Sequence, residues 1–125
     1  MGGLSVRLDG GRELRAGLAG VEDGMADLKA AHKEAAAIAA DGAAARAPSV
    51  SGNLRRTIRA AGTTRAGIVR VGNKRAPYAG PINYGWERRH IGATWFLNDG
   101  ATATEPRWVG VYQDHLELLV NKIGT

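Results

Sequence analysis

Cysteine is absent from this chain of 125 residues, which excludes disulfides and thiolate metal sites and favours a reducing compartment. Aromatic residues make up only 6% of a chain that is 44% hydrophobic, so little apolar volume is available per residue. We therefore expect a thin core that gains stability from neighbouring subunits. No window approaches the roughly 20 apolar residues of a membrane span, and residues 1–10 lack the apolar run of a signal peptide. We expect a soluble protein with no membrane partner.

Sequence signatures of catalysis are also missing. The chain has no phosphate-binding loop, no dinucleotide fingerprint, no H-E-x-x-H and no G-x-S-x-G. Its histidines, His32, His90 and His115, stand far apart, and none has a second ligand at metal-binding spacing. Ser49 and Ser51 flank a predicted helix end, where serine commonly serves turns and caps. We predict no catalytic residue, no metal and no cofactor, and therefore a protein that is not an enzyme.

Charge is distributed unevenly along the chain, whose formal net charge is +5. Residues 1–41 carry 5 basic and 7 acidic side chains, residues 42–90 carry 10 and 1, and residues 91–125 carry 2 and 4. A basic centre between acidic flanks can bind nucleic acid. It equally suits head-to-tail contacts between identical subunits, because each copy offers both signs.

Hydrophobic periodicity predicts one short strand and two long helices in an α+β fold. Alternation over residues 4–8 indicates a half-buried strand, and spacings of three and four predict a long helix over about 12–46. Three glycines lie within that helix and are either weak points or close-packing sites: Gly17, Gly20 and Gly24. A second helix is expected over about 105–122, with Thr104 as its N-cap and a buried face formed by Trp108, Tyr112, Leu116, Leu119 (or Leu118) and Ile123.

The centre of the chain predicts an antiparallel hairpin. Residues 56–60 and 67–72 alternate in polarity, and residues 61–66 form the loop between them. Thr57 and Arg59 would face away from Ile58, and Arg59 and Arg70 would share one exposed face. Residues 77–86 contain glycine, proline and aromatic side chains, which is typical of an irregular loop or short strand.

The one group of residues in the sequence that suggests a function is a set of basic side chains with aromatic residues between them. They could contact phosphates while the rings stack on bases, or they could form a solvated face or meet the acidic flanks of adjacent subunits. The basic members are Arg55, Arg56, Arg59, Arg65, Arg70, Lys74, Arg75, Arg88 and Arg89, and the aromatic members are Tyr78, Tyr84 and Trp86.

Residues 47–58, APSVSGNLRRTI, resemble a segment of the tailed-phage neck and tail-completion proteins, which include minor-tail-protein-Z-like members. That family often carries P-V-D-T-G-x-L-R-x-S-I between a long helix and a hairpin. The order downstream is similar as well, with INYG at 82–85 and ATWFL at 93–97. The usual acid of that segment is absent, Ser51 replaces the usual threonine, Asn83 replaces an acid, and Trp95 replaces proline.

The resemblance implies a single domain over 1–125, with the long helix and a C-terminal helix packed on a small antiparallel sheet. It implies a structural subunit of the head-to-tail connector, located in the virion and assembled in the bacterial cytoplasm. Its partners would be further copies in a ring of roughly six or twelve, other neck proteins, portal adaptors, tail-terminator or tail-tube proteins, and phage DNA in the lumen. The alternative is a small nucleic-acid-binding protein that uses the basic centre.

Two sets of residues follow from this hypothesis. The residues expected at an interface or facing DNA are Arg55, Arg56, Arg59, Arg70, Arg75, Arg88 and Arg89. The residues expected to build the family's structural motif are Ser51, Gly52, Leu54, Ile58, Tyr78, Tyr84, Gly85, Trp95 and Phe96.

Overall fold

The structure, a computed structural model, describes residues 4–48, 53–72, 79–85 and 94–123. Its elements are β1 (Leu4–Leu8), α1 (Arg12–Leu18), α2 (Gly24–Arg46), α3 (Asn53–Arg56), β2 (Arg59–Gly62), β3 (Gly67–Val71), α4 (Ala79–Tyr84), α5 (Phe96–Ala103) and α6 (Glu105–Ile123). The fold is α+β, as predicted, with a long helix and a small antiparallel sheet.

The sheet has three strands in the order β1-β3-β2, with both pairs antiparallel. Its inner face, which includes Leu8, Val69 and Val71, is buried beneath α2. Glycine allows the helix to lie close: a Cβ on Gly62 would stand 2.6 Å from the backbone nitrogen of Lys33. The predicted strand at 4–8 and the hairpin are confirmed, although β2 begins at Arg59 and not at residue 56.

Residues 12–46 form two helices, so the prediction of one continuous helix is wrong. Gly20 has φ of 79° and Asp23 has φ of 60°, a left-handed conformation that an α-helix cannot contain. Gly17, in contrast, is a close-packing site, because a Cβ there would lie 2.8 Å from the side chain of Leu119 in α6. The chain thus breaks at 19–23, and α1 turns back to contact both α2 and α6.

The C-terminal helix α6 matches its predicted bounds closely and packs on α1 and α2. Tyr112 and Leu119 are buried, whereas Leu118 is 67% exposed, which decides between the two leucines. Thr104 holds the predicted N-cap position, since α6 begins at Glu105, but its hydroxyl donates back to the carbonyl of Gly100 at 2.7 Å. Among the described helices, none is both long enough and apolar enough to cross a bilayer.

Two further predictions about the centre of the chain are corrected. Residues 79–84 form the short helix α4 where an irregular loop or strand was expected, and α5 was not foreseen. Thr57 is buried and does not share the exposed side of Arg59. Its hydroxyl donates to the carbonyl of Leu54 at 2.7 Å and accepts from the amide of Gly72 at 2.8 Å, so it joins α3 to the end of β3.

Candidate interface: the cationic sheet face

The outer face of the sheet carries exposed arginines from all three strands. Arg59 of β2 lies directly opposite Arg70 of β3, and Arg70 lies opposite Ser5 of β1. Strand alternation places Arg7 of β1 on the same side, one row further along. We call Ser5, Arg7, Arg59 and Arg70 the cationic sheet face; all four side chains are exposed.

No carboxylate among the described residues forms an ion pair with this face. The ion pair between His115 and Glu34 joins α6 to α2, away from the sheet. Arg59 donates to the carbonyl oxygens of Thr57 at 2.7 Å and Gly72 at 3.2 Å, which holds its guanidinium in place. Like charges directly opposite each other in a sheet repel, at a cost of a few tenths of a kcal/mol. The arginines therefore favour an anionic group from outside the subunit.

A depression of about 180 Å³ opens between the two facing arginines. It is lined by Leu4, Ser5, Arg59 and Arg70. Planar guanidinium groups bind carboxylate or phosphate oxygens through paired, charge-assisted hydrogen bonds. The depression is large enough to admit one such anionic group between Arg59 and Arg70.

The other arginines predicted at an interface have separate locations. Arg55 donates to the carbonyl oxygens of Ala44 at 3.2 Å and Ala47 at 3.4 Å, so it caps the C-terminus of α2. Arg56 is exposed on α3. Arg75, Arg88 and Arg89 lie outside the described residues, as do Lys74 and Trp86.

Arg7 was missed by the sequence analysis. The alternation at 4–8 placed it on the polar side of a strand, but nothing local to that segment indicated that β1 pairs with β3. That pairing joins residues about 60 positions apart or more, such as Leu4 with Val71. The sequence signal that could have found it is the shared length and alternation of the two strands.

The described residues of the expected structural motif lie in two parts of the chain, one around α3 and the other around α4 and α5. Leu54 is buried and Ile58 is partly buried against the core. Gly85 ends α4 with φ of 88°, and Phe96, which begins α5, is buried. The rings of Tyr84 and Trp95 meet edge to face with centroids 5.3 Å apart, and both remain about half exposed. Ser51, Gly52 and Tyr78 lie outside the described residues.

Asn83 supplies the physical reason for a polar residue at this point of the motif. Its side chain is fully buried, and its Oδ1 accepts from the amide of Leu97 in the first turn of α5 at 3.0 Å. Its Nδ2 donates to Oδ1 of Asn98 at 2.6 Å. Trp95, at the N-cap position of α5, makes no side-chain cap. Asn83 therefore caps α5 from another helix, a role that a carboxylate acceptor would also fill.

The buried histidine His32 pairs with Tyr112. Its Nδ1 lies 2.6 Å from the Tyr112 hydroxyl, and its Nε2 has no hydrogen-bond partner. Burial lowers the pKa of His32, with Arg15 contributing in the same direction, and burial next to Asp9 raises the pKa of Tyr112 to about 12. Both rings are therefore neutral at pH 7. Within the described part of the chain, no cluster of three or more potential metal ligands is found.

A second concavity is the groove between α1 and α6, with a volume of about 240 Å³. Its walls are mainly leucine and valine, and its rim carries Asp27, His115 and Lys122. Leu118, the most exposed of its apolar residues, gives the groove the character of a contact surface.

Comparison with protein-family models, with curated proteins and with solved structures finds no match to this chain. A function for this chain is therefore inferred from its own residues and from the short motifs that they form.

Proposed function

We propose that this chain is a structural subunit of the head-to-tail connector of a tailed phage, assembled as a ring around the DNA channel. One observation carries the proposal beyond the sequence resemblance: a sheet face that presents Arg7, Arg59 and Arg70 with no ion pair to a carboxylate among the residues that the structure describes. Such a face needs an anionic partner, and the exposed carboxylates of the helices in another copy supply one. The other partners would be neck, portal-adaptor and tail-terminator or tail-tube proteins.

The small core supports the same proposal. Alanines fill much of the contact between α2 and its neighbours: Ala31, Ala35, Ala36, Ala39, Ala40 and Ala43 are all buried. Alanine contributes little apolar area, so burial inside one subunit stabilises the fold modestly. Association with other copies would add buried area, and the exposed Leu118 and Val120 of α6 are available for it.

The test is electron microscopy of lysates from a phage in which this gene is interrupted by a stop codon, with the intact gene supplied in trans as the control. We expect heads and tails to accumulate separately and the control to restore joined particles. Normal infectious particles from the interrupted gene would refute the connector function.

A second candidate is a small nucleic-acid-binding protein, and the same cationic sheet face favours it. Three arginines on one surface can each neutralise a phosphate. If they do, log affinity for duplex DNA should fall steeply with log salt, at about −0.9 per phosphate contact. Arg70→Gln should then reduce that slope by about 0.9, whereas no binding at low salt would eliminate this candidate.

A further inference from the structure

The long helix α2 presents a row of three carboxylates to solvent. Asp27, Glu34 and Asp41 are exposed and recur every seventh residue, which places them on one side of the helix. Glu34 lies 3.1 Å from His115 of α6, but its side chain remains 59% exposed. We call these three residues the acidic row.

Small side chains leave the acidic row open to a partner. Ala30 and Ala37 are exposed beside it on the same helix. The exposed lysines of α2, Lys29 and Lys33, lie roughly 100° or more around the helix from Glu34. Long arginine side chains from another molecule can therefore reach the carboxylates of Glu34 and Asp41, whereas Asp27 shares the groove between α1 and α6 with Leu118 and Lys122.

The spacing of the acidic row matches that of the cationic sheet face. Seven residues of helix separate neighbouring carboxylates by about 10.5 Å along the axis. Ideal strand spacing places Arg7 about 10 Å from the midpoint between Arg59 and Arg70. One carboxylate can thus occupy the depression between Arg59 and Arg70 while the next reaches Arg7.

The two surfaces of one copy cannot meet each other. The sheet packs on the side of α2 that carries the backbone of Lys29 and Lys33, as the close approach of Gly62 shows. The acidic row points roughly 100° to 140° away from these two residues around the helix. A contact between the two surfaces therefore joins different copies head to tail.

We propose that the cationic sheet face of one copy binds the acidic row of α2 in a second copy. The inference rests on the proposed ring and names its interface. The contact is heterologous, since two cationic faces repel and two acidic rows repel. Guanidinium and carboxylate groups pair through charge-assisted hydrogen bonds, which also fix the register between the two copies.

The absence of cysteine makes the contact testable with single introduced thiols. Ser5→Cys marks the cationic sheet face, Ala30→Cys marks the acidic row, and Ala103→Cys is a matched control at an exposed position of α5. The full-length variants are purified, mixed in pairs over a range of concentrations and oxidised. We expect cross-linked dimers from Ser5→Cys mixed with Ala30→Cys, and none from either alone or from mixtures with the control.

Charge reversal tests whether the arginines produce the contact. Arg70→Glu in the Ser5→Cys chain should lower the yield of mixed dimer roughly tenfold. Adding Glu34→Arg to the Ala30→Cys chain should restore it. Circular dichroism of each variant checks that the fold is intact, and Arg65→Glu in the turn between β2 and β3 is the matched charge control.

Three outcomes would overturn the inference. The first is disulfide dimers of Ser5→Cys alone, which would indicate a two-fold contact, and the second is no mixed dimer at any concentration. The third is protection of the Ser5→Cys thiol by duplex DNA without mixed dimers, which would assign the face to nucleic acid. Sedimentation of the unmodified chain distinguishes failure of this interface from failure of the ring. Self-association of the chain without the mixed dimer would refute this interface but remain compatible with a ring. Normal particles from the interrupted gene remove the ring itself.

Discussion

Gly42 of α2 and Gly100 of α5 bring their two helices into backbone contact: a Cβ on Gly42 would lie 2.6 Å from the carbonyl oxygen of Gly100. A Cβ on Gly100 would likewise meet the backbone of Ala43. Backbone atoms cannot move aside as a flexible side chain can, so any larger residue forces the helices apart. This crossing is where α2 makes its most extensive contact with another element.

We expect Gly100→Ala to destabilise the fold by about 1 to 3 kcal/mol, because overpacking of a close helix crossing outweighs the gain in helix propensity. Gly110→Ala is the matched control, since nothing lies within 4 Å of a Cβ at that position of α6. It should stabilise the protein by up to about 1 kcal/mol. Urea unfolding of both variants measures the difference, and equal effects at the two glycines would refute the crossing.

Asn83 should be sensitive to loss of its acceptor oxygen. Asn83→Ala leaves the amide of Leu97 and the side chain of Asn98 without their partner, at a cost of about 1 to 3 kcal/mol. Asn83→Asp keeps the acceptor for the amide of Leu97 and adds a negative charge next to the N-terminus of α5. It loses the donor to Asn98, whose amide can turn to donate instead, so it should be the milder substitution. Thermal unfolding compares the two variants, and an equal loss from both would contradict the capping role.

The neighbouring residues Arg55 and Arg56 should differ in their effect on stability. Arg55 caps the last turn of α2, whereas Arg56 is exposed on α3. We expect Arg55→Ala to lower the free energy of unfolding by about 1 kcal/mol. Arg56→Ala should lie within about 0.5 kcal/mol of the unmodified protein. Denaturant titration measures the free energy of unfolding of both variants. A larger loss in Arg56→Ala than in Arg55→Ala would contradict the capping role of Arg55.

These two arginines show what sequence patterns can and cannot distinguish. Polarity placed both outside the core, and both are exposed, but only the path of α2 in space brings its C-terminal carbonyls to Arg55. The strand at 4–8 and helix α6 were predictable because periodicity and capping signals are local. The pairing of β1 with β3, the contact between Gly42 and Gly100 and the role of Arg7 depend on tertiary contacts between distant segments, which periodicity does not encode.

The cationic sheet face should itself be a source of strain in the isolated subunit. Arg70→Gln removes one of two like charges that face each other across β2 and β3, and should raise the free energy of unfolding by about 0.2 to 1 kcal/mol at low salt. Arg56→Gln makes the same charge change at an exposed position of α3 and serves as the control. Added salt should shrink the difference through screening. A loss of stability in Arg70→Gln would indicate that groups of the same subunit already compensate the charge of Arg70.

Acid should weaken the fold through His32. Its pKa in the folded state lies below the ordinary value of 6.5, because the ring is buried beside Tyr112 and near Arg15. The unfolded chain therefore binds more protons on this residue as the pH falls through 6.5, so the stability that is present above that pH declines progressively below it.

Melting temperatures measured from pH 8 to pH 5 should show this decline, and His32→Gln should flatten it. The glutamine should also lower stability at neutral pH, because it packs imperfectly against Gly11. His115→Gln is the matched control on the partly exposed histidine of α6. If the profile of His32→Gln keeps the full acid dependence of the unmodified protein, the buried ring does not cause it.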